Sequence, residues 1–426
     1  MPEYSDKWAM GQVNGTHWVP AEADVSIRPG WYYHAYEDHK VKTLPELLEI
    51  YYQSIGQNSS LLINFPVDTR GLIPDSDVQA ILELAAKVKE DFAVSLATSA
   101  KVSASSSRGA GYAASQVLDG NYASYWAAAA GQTRATVELD FGQQQSFNRI
   151  LIQEYVNLGQ RVSAFTVEKE VEGKWLPLAQ GTTIGYTRIL RVPDTQAQKI
   201  RINFLEAKGG PLIAELGVYA APALVFPPKI TRNTAGLVSI NAADPGLDIY
   251  YSLDGSVPQA GKNRYEKPFL LEQPATLQAI VVDAKAGKSS AISSRELDLV
   301  KGNWKVLSAD SKALNAIDEL PHTYWTSPSN ALELDLGKEV NLQGLRYLPM
   351  QARYPSGFIA DYALEGSLDG STWVLLAQGE FANIQNNPIE QIIRFAPQQL
   401  RYVRLKALRT VDGNGATFGE LSTITR

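Results

Sequence analysis

The 426-residue chain contains no cysteine, which excludes disulfides, thiolate metal sites and cysteine nucleophiles together. That absence does not fix the compartment, because bacterial secreted proteins also do without cysteine. No stretch approaches the roughly 18 uncharged apolar residues of a membrane-spanning helix. The opening "MPEYSDKWAM" has neither the basic n-region nor the apolar h-region of a secretory signal. Positive charge is also short: the net charge is −6 and no Lys/Arg run offsets it, which argues against a nucleic-acid groove. A neutral sugar suits such a surface better. The 45% apolar and 20% charged content is ordinary for globular protein, and the length calls for three or four domains rather than one core.

The first ninety-odd residues read as α/β. In "TLPELLEIYYQSIG", Thr43 and Glu46 have capping-box spacing. Leu44, Leu47, Leu48, Tyr51 and Ile55 then follow a helical period, with Gly56 as the stop. "SLLINF" reads as a short, fully apolar strand ending at Asn64 and Phe65. After "VDTRGLIPDS" a second helix carries Val78, Ile81, Leu82, Ala85 and Val88 on one face. "ADVSI" reads as an earlier strand, with "RPGWYYH" as its C-terminal loop. This is the grammar of a parallel α/β fold.

Near residue 95 the helical period gives way to short alternating strands broken by Gly, Asp and Asn. These contain a repeat at a separation of about 200 residues, too long a period for a solenoid and therefore a duplicated domain. "VLDGNYASYWAA" is answered by "AIDELPHTYWTS", "ATVELDFGQ" by "ALELDLGKE", and "FTVEKEVEGKWLPLA" by "YALEGSLDGSTWVLLA". "KIRINFLEAKGGPLIAELGVY" has its partner in "YVRLKALRTVDGNGATFGELS". Each copy has the size of one antiparallel sandwich. Between them, "IYYSLDGSVPQ" and its neighbours read as a small all-β domain. The expected division is 1–95, 96–222, 223–300 and 301–426.

The copies resemble discoidin-like (F5/8 type C) jelly-roll domains, on Asp119–Gly120, Trp126, "ELDFG", Trp175 and Glu215, then Asp318, Trp325, "ELDLG", "SLDGSTW" and Glu420. The middle domain resembles the small β domain appended to hexosaminidases, on "IYYSLDGSVPQ" and "RYEKPF". The opening segment resembles the end of the catalytic barrel of α-L-fucosidases, glycoside hydrolase family 29, on "WVPAEADVSIRPGWYYH" and "LLEIYYQSIGQNSSLLINFPVDTRGLI". The domain order is familiar from bacterial members, and the wording of the first phrase leans toward the subgroup acting on α-1,3/1,4-linked fucose. The fold class expected is therefore multidomain: a partial (β/α)8 barrel, then jelly roll, small β-sandwich and jelly roll. A full barrel takes about 250 residues, so the first 95 cannot close one. The resemblance implies a retaining hydrolase, with an Asp nucleophile and a Glu acid/base about 5 Å apart. No segment here matches the nucleophile, so the chain is expected to be the C-terminal part of a fucosidase, inactive without an N-terminal catalytic fragment. Its complete form is expected in the periplasm or outside the cell, acting on fucosylated glycans without a catalytic cofactor. A non-catalytic glycan-binding protein is the alternative.

By resemblance, Trp31 lines the fucose pocket against the C6 methyl, and an aromatic face suits sugar C–H groups; its other reading is a core tryptophan under a loop. Glu22 is a candidate acid/base, a support for the pocket, or a solvated loop residue, with Trp18 and Trp31 as neighbours that would raise its pKa. Asp24 and Arg28 read as an ion pair bracing the strand–loop junction or as substrate contacts, and His34 as a partner for a sugar hydroxyl or a structural ring. Asn64 and Asp68 read as turn residues. Asp119 and Asp318 are candidates for structural Ca²⁺. Arg353, Tyr354 and His322 are candidates for a sugar platform in the second module, and Trp126, Trp325, Trp175 and Trp373 for the sandwich cores.

Overall fold

The computed structural model describes residues 21–426. They form two compact units, residues 21–27 with 42–222 and residues 28–41 with 223–426.

The first unit opens with β1 (Ala21–Ser26), α1 (Leu44–Ser54), β2 (Ser59–Asn64) and α2 (Asp75–Asp91). The strands pair in parallel, Ala21 opposite Ser59 through Ser26 opposite Asn64. The capping box forms as the sequence predicts: the Thr43 N–H donates to Glu46 Oε2 at 2.8 Å. The buried face of α1 is rotated from expectation, because Ile50 and Tyr52 join Leu47 and Leu48 inside. Tyr52 is drawn in by polar partners: its hydroxyl donates to Asp91 Oδ2 at 2.8 Å and accepts from Arg149 Nε at 2.9 Å.

On helix α2 the apolar stripe is split: Val78 is 38% and Leu82 58% exposed, while Ile81 and Val88 are half-buried. The buried positions are Asp77, Ala80, Leu84, Lys87 and Asp91. Lys87 Nζ lies 2.6 Å from Asp91 Oδ1 and donates to the Pro222 carbonyl at 2.7 Å, so polar contacts fix this face. Strand β2 is likewise not fully buried, since Leu62 is exposed. Among the described residues this parallel sheet has two strands, β1 and β2, and apolar residues such as Leu62 meet solvent.

The first sandwich follows as β3 (Lys101–Ala104), β4 (Trp126–Ala127), β5 (Ala135–Glu154), β6 (Val162–Val171), β7 (Lys174–Gly181), β8 (Arg188–Ala207) and β9 (Leu212–Tyr219). The strand order is β4-β9-β5-β8-β6-β7, with β3 also on β5. Alternate residues of the 20-residue β5 and β8 enclose Trp126, Phe147, Phe165, Phe204, Ile200 and Ile202.

The second unit contains the small β domain: β10 (Lys229–Arg232), β11 (Leu237–Asn241), β12 (Asp248–Ser252), β13 (Phe269–Leu270), β14 (Ala275–Asp283), β15 (Lys288–Ser289) and β16 (Ser293–Leu297). Its sheets are β10-β11-β13 and β12-β14-β15, the latter with β16 on β14. Val238, Ile240, Leu277 and Val281 fill the space between them. The second sandwich comprises β17 (Lys305–Val306), β18 (Trp325–Thr326), β19 (Ala331–Leu348), β20 (Ile359–Ser367), β21 (Val374–Glu380), β22 (Gln391–Thr410), β23 (Thr417–Phe418) and β24 (Glu420–Ile424).

Its pairings repeat those of the first copy: β17 on β19 as β3 on β5, β19 on β22 as β5 on β8, and β22-β20-β21 as β8-β6-β7. The shared "ELD-G" wording has a common cause. Asp140 accepts the Gly142 N–H and Asp335 the Gly337 N–H, both at 2.8 Å, and each glycine has φ near +80° at a register shift in its long strand. Trp126 and Trp325 are core residues as expected. Trp175 and Trp373 are not. Each is half-buried, with Arg201 Cζ 4.4 Å and Arg404 Cζ 4.1 Å over its ring. Those arginines also bond Glu168 and Glu365, so the two tryptophans cap charged ladders on the sheet surface.

Candidate functional site

The loop after β1, residues 28–41, is braced from within. The Arg28 side chain is fully buried, and its Nη1 lies 2.6 Å from Asp38 Oδ1, so Asp38 takes the bracing role expected of Asp24. The guanidinium also stacks 5.0 Å from the Tyr33 ring. Gly30 is required by close approach: a Cβ there would meet the Glu37 carboxylate at 3.0 Å, and the Gly30 N–H donates to Glu37 Oε2 at 3.3 Å. Holding the loop this way leaves Trp31 41% and Tyr32 81% exposed. His34 stacks on Tyr36 with ring centroids 4.8 Å apart. Glu22 and Asp24 project from β1 and are exposed, so the described residues do not supply the dry setting a catalytic acid needs. Trp18 lies outside the described residues. Asp68 is a turn residue, its Oδ1 accepting the Arg70 N–H at 2.8 Å, and Asn64 Nδ2 bonds Ser26 Oγ across the strand ends.

The segment Ala35–Lys40 is a 3₁₀ helix tied to the second sandwich. Lys40 Nζ donates to the Gln351 carbonyl at 3.1 Å, and His39 Nε2 lies 2.9 Å from Gln351 Oε1. Arg353 and Tyr354 sit on the same loop as Gln351, with Arg353 Cζ 5.3 Å over the Tyr354 ring and Tyr354 exposed. His322 instead lines a hollow of about 570 Å³ with Asp310, Asn315 and Tyr324. The sequence reading missed Tyr36, His39, Lys40 and Gln351, because nothing in the chain signals that residues 39 and 351 meet.

The two aspartate turns differ between copies. Asp119 accepts the Asn121 N–H at 2.9 Å and Asp318 the Leu320 N–H at 2.9 Å, as Asx turns do. Glu215 stands near Asp119 and is pushed up to about 7 by burial, against a bond from the Gly120 N–H and with the Asp119 charge adding to the rise. In the second copy a cation is built in. Lys301, its side chain fully buried, places Nζ 2.5 Å from Glu420 Oε1 and 3.4 Å from Glu319 Oε1. Burial would raise Glu319, yet Lys301, Arg232 and Arg295 hold it below the usual carboxylate range. The Arg232 and Arg295 side chains reach it from the small β domain at 3.0 and 2.7 Å. Lys301 supplies the positive charge between Glu319 and Glu420 in the second copy. Among the described residues, no group of three or more His, Asp or Glu side chains could hold a metal.

The signal for this hub was legible by comparing repeats. Glu319, at φ +65°, stands where the first copy has Gly120 at φ +67°, and Lys301 stands where it has Ala97, each four residues before its paired β17 or β3 lysine.

Residues 101–216 and 288–421 match the F5/8 type C domain family, and residues 227–294 match the chitobiase/β-hexosaminidase C-terminal domain. The chain is 41% identical over 223 residues to a rice protein named "Putative alpha-L-fucosidase 1", covering 51% of this chain and 42% of that protein. It is 37% identical over 224 residues to Arabidopsis alpha-L-fucosidase 1, covering 51% of this chain and 43% of the relative. The chain therefore spans less than half the length of these two relatives, both from plants. A solved glycoside hydrolase 29 family member from an unknown rumen bacterium aligns over 98% of this chain and 56% of its own, at 27% identity and a TM-score of 0.44.

Proposed function

We propose that this chain, which belongs to the F5/8 type C family and is related to α-L-fucosidases, forms the C-terminal portion of an enzyme that removes terminal α-linked L-fucose from glycans. The observation that carries this reading is the 41% identity to a fucosidase-named relative over 223 residues. The preferred linkages are α-1,3 and α-1,4, and cleavage retains the anomeric configuration through a carboxylate nucleophile and a second carboxyl as acid/base. Trp31 lies against the sugar methyl, with Arg28 and His34 helping to shape the loop that presents it. Glu22 and Asp24 become pocket residues only once further polypeptide screens them from water.

The parallel pair β1–β2 with α1 and α2 is the end of the catalytic barrel, followed by sandwich, small β domain and sandwich with limits near residues 95, 222 and 300. Exposed Val78 and Leu82 on α2, and the two-stranded parallel sheet among the described residues, suit an N-terminal catalytic fragment that supplies the remaining strands and the nucleophile. Without it the chain does not turn over substrate. The complete enzyme works in the periplasm or outside the cell. Asp119, with Glu215 beside it, is the turn that would take structural Ca²⁺, backbone carbonyls completing the shell.

A direct test titrates the tryptophan emission of the purified chain with L-fucose. Saturable change that disappears in Trp31→Ala supports the reading. A flat response in the native chain overturns the assignment of Trp31.

A further inference from the structure

We infer that the loop of residues 349–356, between β19 and β20 of the second sandwich, binds the sugar to which fucose is attached, so that this sandwich helps choose the substrate. The inference rests on the reading of Trp31 as a fucose contact and goes beyond it by assigning the neighbouring sugar.

Three observations carry it. First, the loop is fastened to the segment that bears Trp31. Gln351 receives Lys40 Nζ on its carbonyl and meets His39 at its side-chain oxygen. Its side-chain amide donates to the carbonyls of Pro349 at 3.0 Å and Pro388 at 2.8 Å. Every polar group of that side chain is engaged, so Gln351 acts as a clasp between two otherwise separate elements. Second, the clasp leaves aromatic groups exposed on both partners: Trp31 at 41%, Tyr32 at 81% and Tyr354 at 74%. Tyr354 follows Gln351 by three positions on the loop fastened to the 3₁₀ helix that carries Tyr36. Third, the chemistry of the exposed groups matches a neutral pyranose. Arg353 covers one face of Tyr354 and leaves the rest of the ring to solvent. An open aromatic face accepts sugar C–H groups, while the guanidinium and phenol hydroxyls reach the sugar's hydroxyls. Gln351 is a positioning residue; Tyr354 and Arg353 are the contacts.

The test is saturation-transfer NMR on the 426-residue chain with the disaccharide of L-fucose α-1,3-linked to N-acetylglucosamine. Wild-type chain should transfer to the fucose methyl and to the ring protons of the second sugar. Tyr354→Ala should cut transfer to the second sugar by about fivefold and spare the fucose methyl, whereas Tyr354→Phe, which keeps the ring, should retain most of it. Gln351→Ala should act in the same direction as Tyr354→Ala, since the loop is then unclasped. Trp31→Ala should remove the methyl signal. Unchanged second-sugar transfer in Tyr354→Ala overturns this inference while leaving the fucose reading intact. Absence of any methyl transfer in the wild type overturns both.

Discussion

Glu154 shows how one buried side chain can set the pH response of a sandwich. Its carboxylate accepts the N–H groups of Arg161 and Val162 at 2.9 Å and of Gly185 at 2.8 Å, pinning two loops. Burial nevertheless pushes its pKa up from 4.5 to about 7, against those donors. A carboxyl raised in the folded state holds its proton more tightly there than in the unfolded chain. Its stabilising contribution is complete below about pH 4.5 and is lost as pH climbs through 7. Glu215 and Glu420 shift in the same direction, also to about 7. The melting temperature should therefore fall between pH 5 and pH 8, and Glu154→Gln should fall less, from a starting point lowered by about 1–3 kcal/mol because one N–H then faces an amide. Thermal melts at both pH values check this; a steeper decline in the variant would contradict it. Lys301 is the complementary case. Lys301→Met leaves Glu319 and Glu420 facing each other without their shared cation and should cost about 3–5 kcal/mol in denaturant unfolding of the second sandwich. A cost near zero would show that the hub is not needed. The residue-level reading succeeded where local chemistry decides, as in the Thr43–Glu46 capping box and the Asp68 turn. It failed for Arg28, because Asp24 and Asp38 are both close in sequence and only the path of the loop selects between them.

At the scale of elements, periodicity located both helices and both parallel strands, but which side of α2 is buried was not legible from it. Amphipathicity records the surroundings for which a helix was selected, and the sandwich-facing contacts of Lys87 and Asp91 decide its orientation here. The consequence is measurable. Leu82→Glu should change stability by no more than about 0.5 kcal/mol and should reduce self-association in sedimentation, because the side chain is exposed in the isolated chain. Leu84→Ala, on the buried face, should cost about 2–5 kcal/mol. The opposite ranking would mean that α2 packs the other way round in solution. The repeat was the most legible element of all, since matched strands and matched Asp–Gly bulges follow from matched sequence. What the repeat concealed was divergence: Trp175 and Trp373 look like core residues by type, but the arginines opposite them hold them at the surface.

For the whole molecule, the order of the two F5/8 type C copies with the small β domain between them was readable because each resembles a family with a distinct wording. The meeting of residues 39 and 40 with Gln351 was not, because contacts across some 310 positions leave no trace in one sequence. Exposed Glu22 and Asp24, exposed Val78 and Leu82 on α2 and, among the described residues, a parallel sheet of two strands all fit the proposal that further polypeptide finishes a fucosidase barrel. The most direct measurement is the release of 4-nitrophenol from 4-nitrophenyl α-L-fucoside by the purified 426-residue chain, compared with its Glu22→Gln variant. The account predicts no turnover above the variant; clear, enzyme-proportional release by the native chain would contradict it.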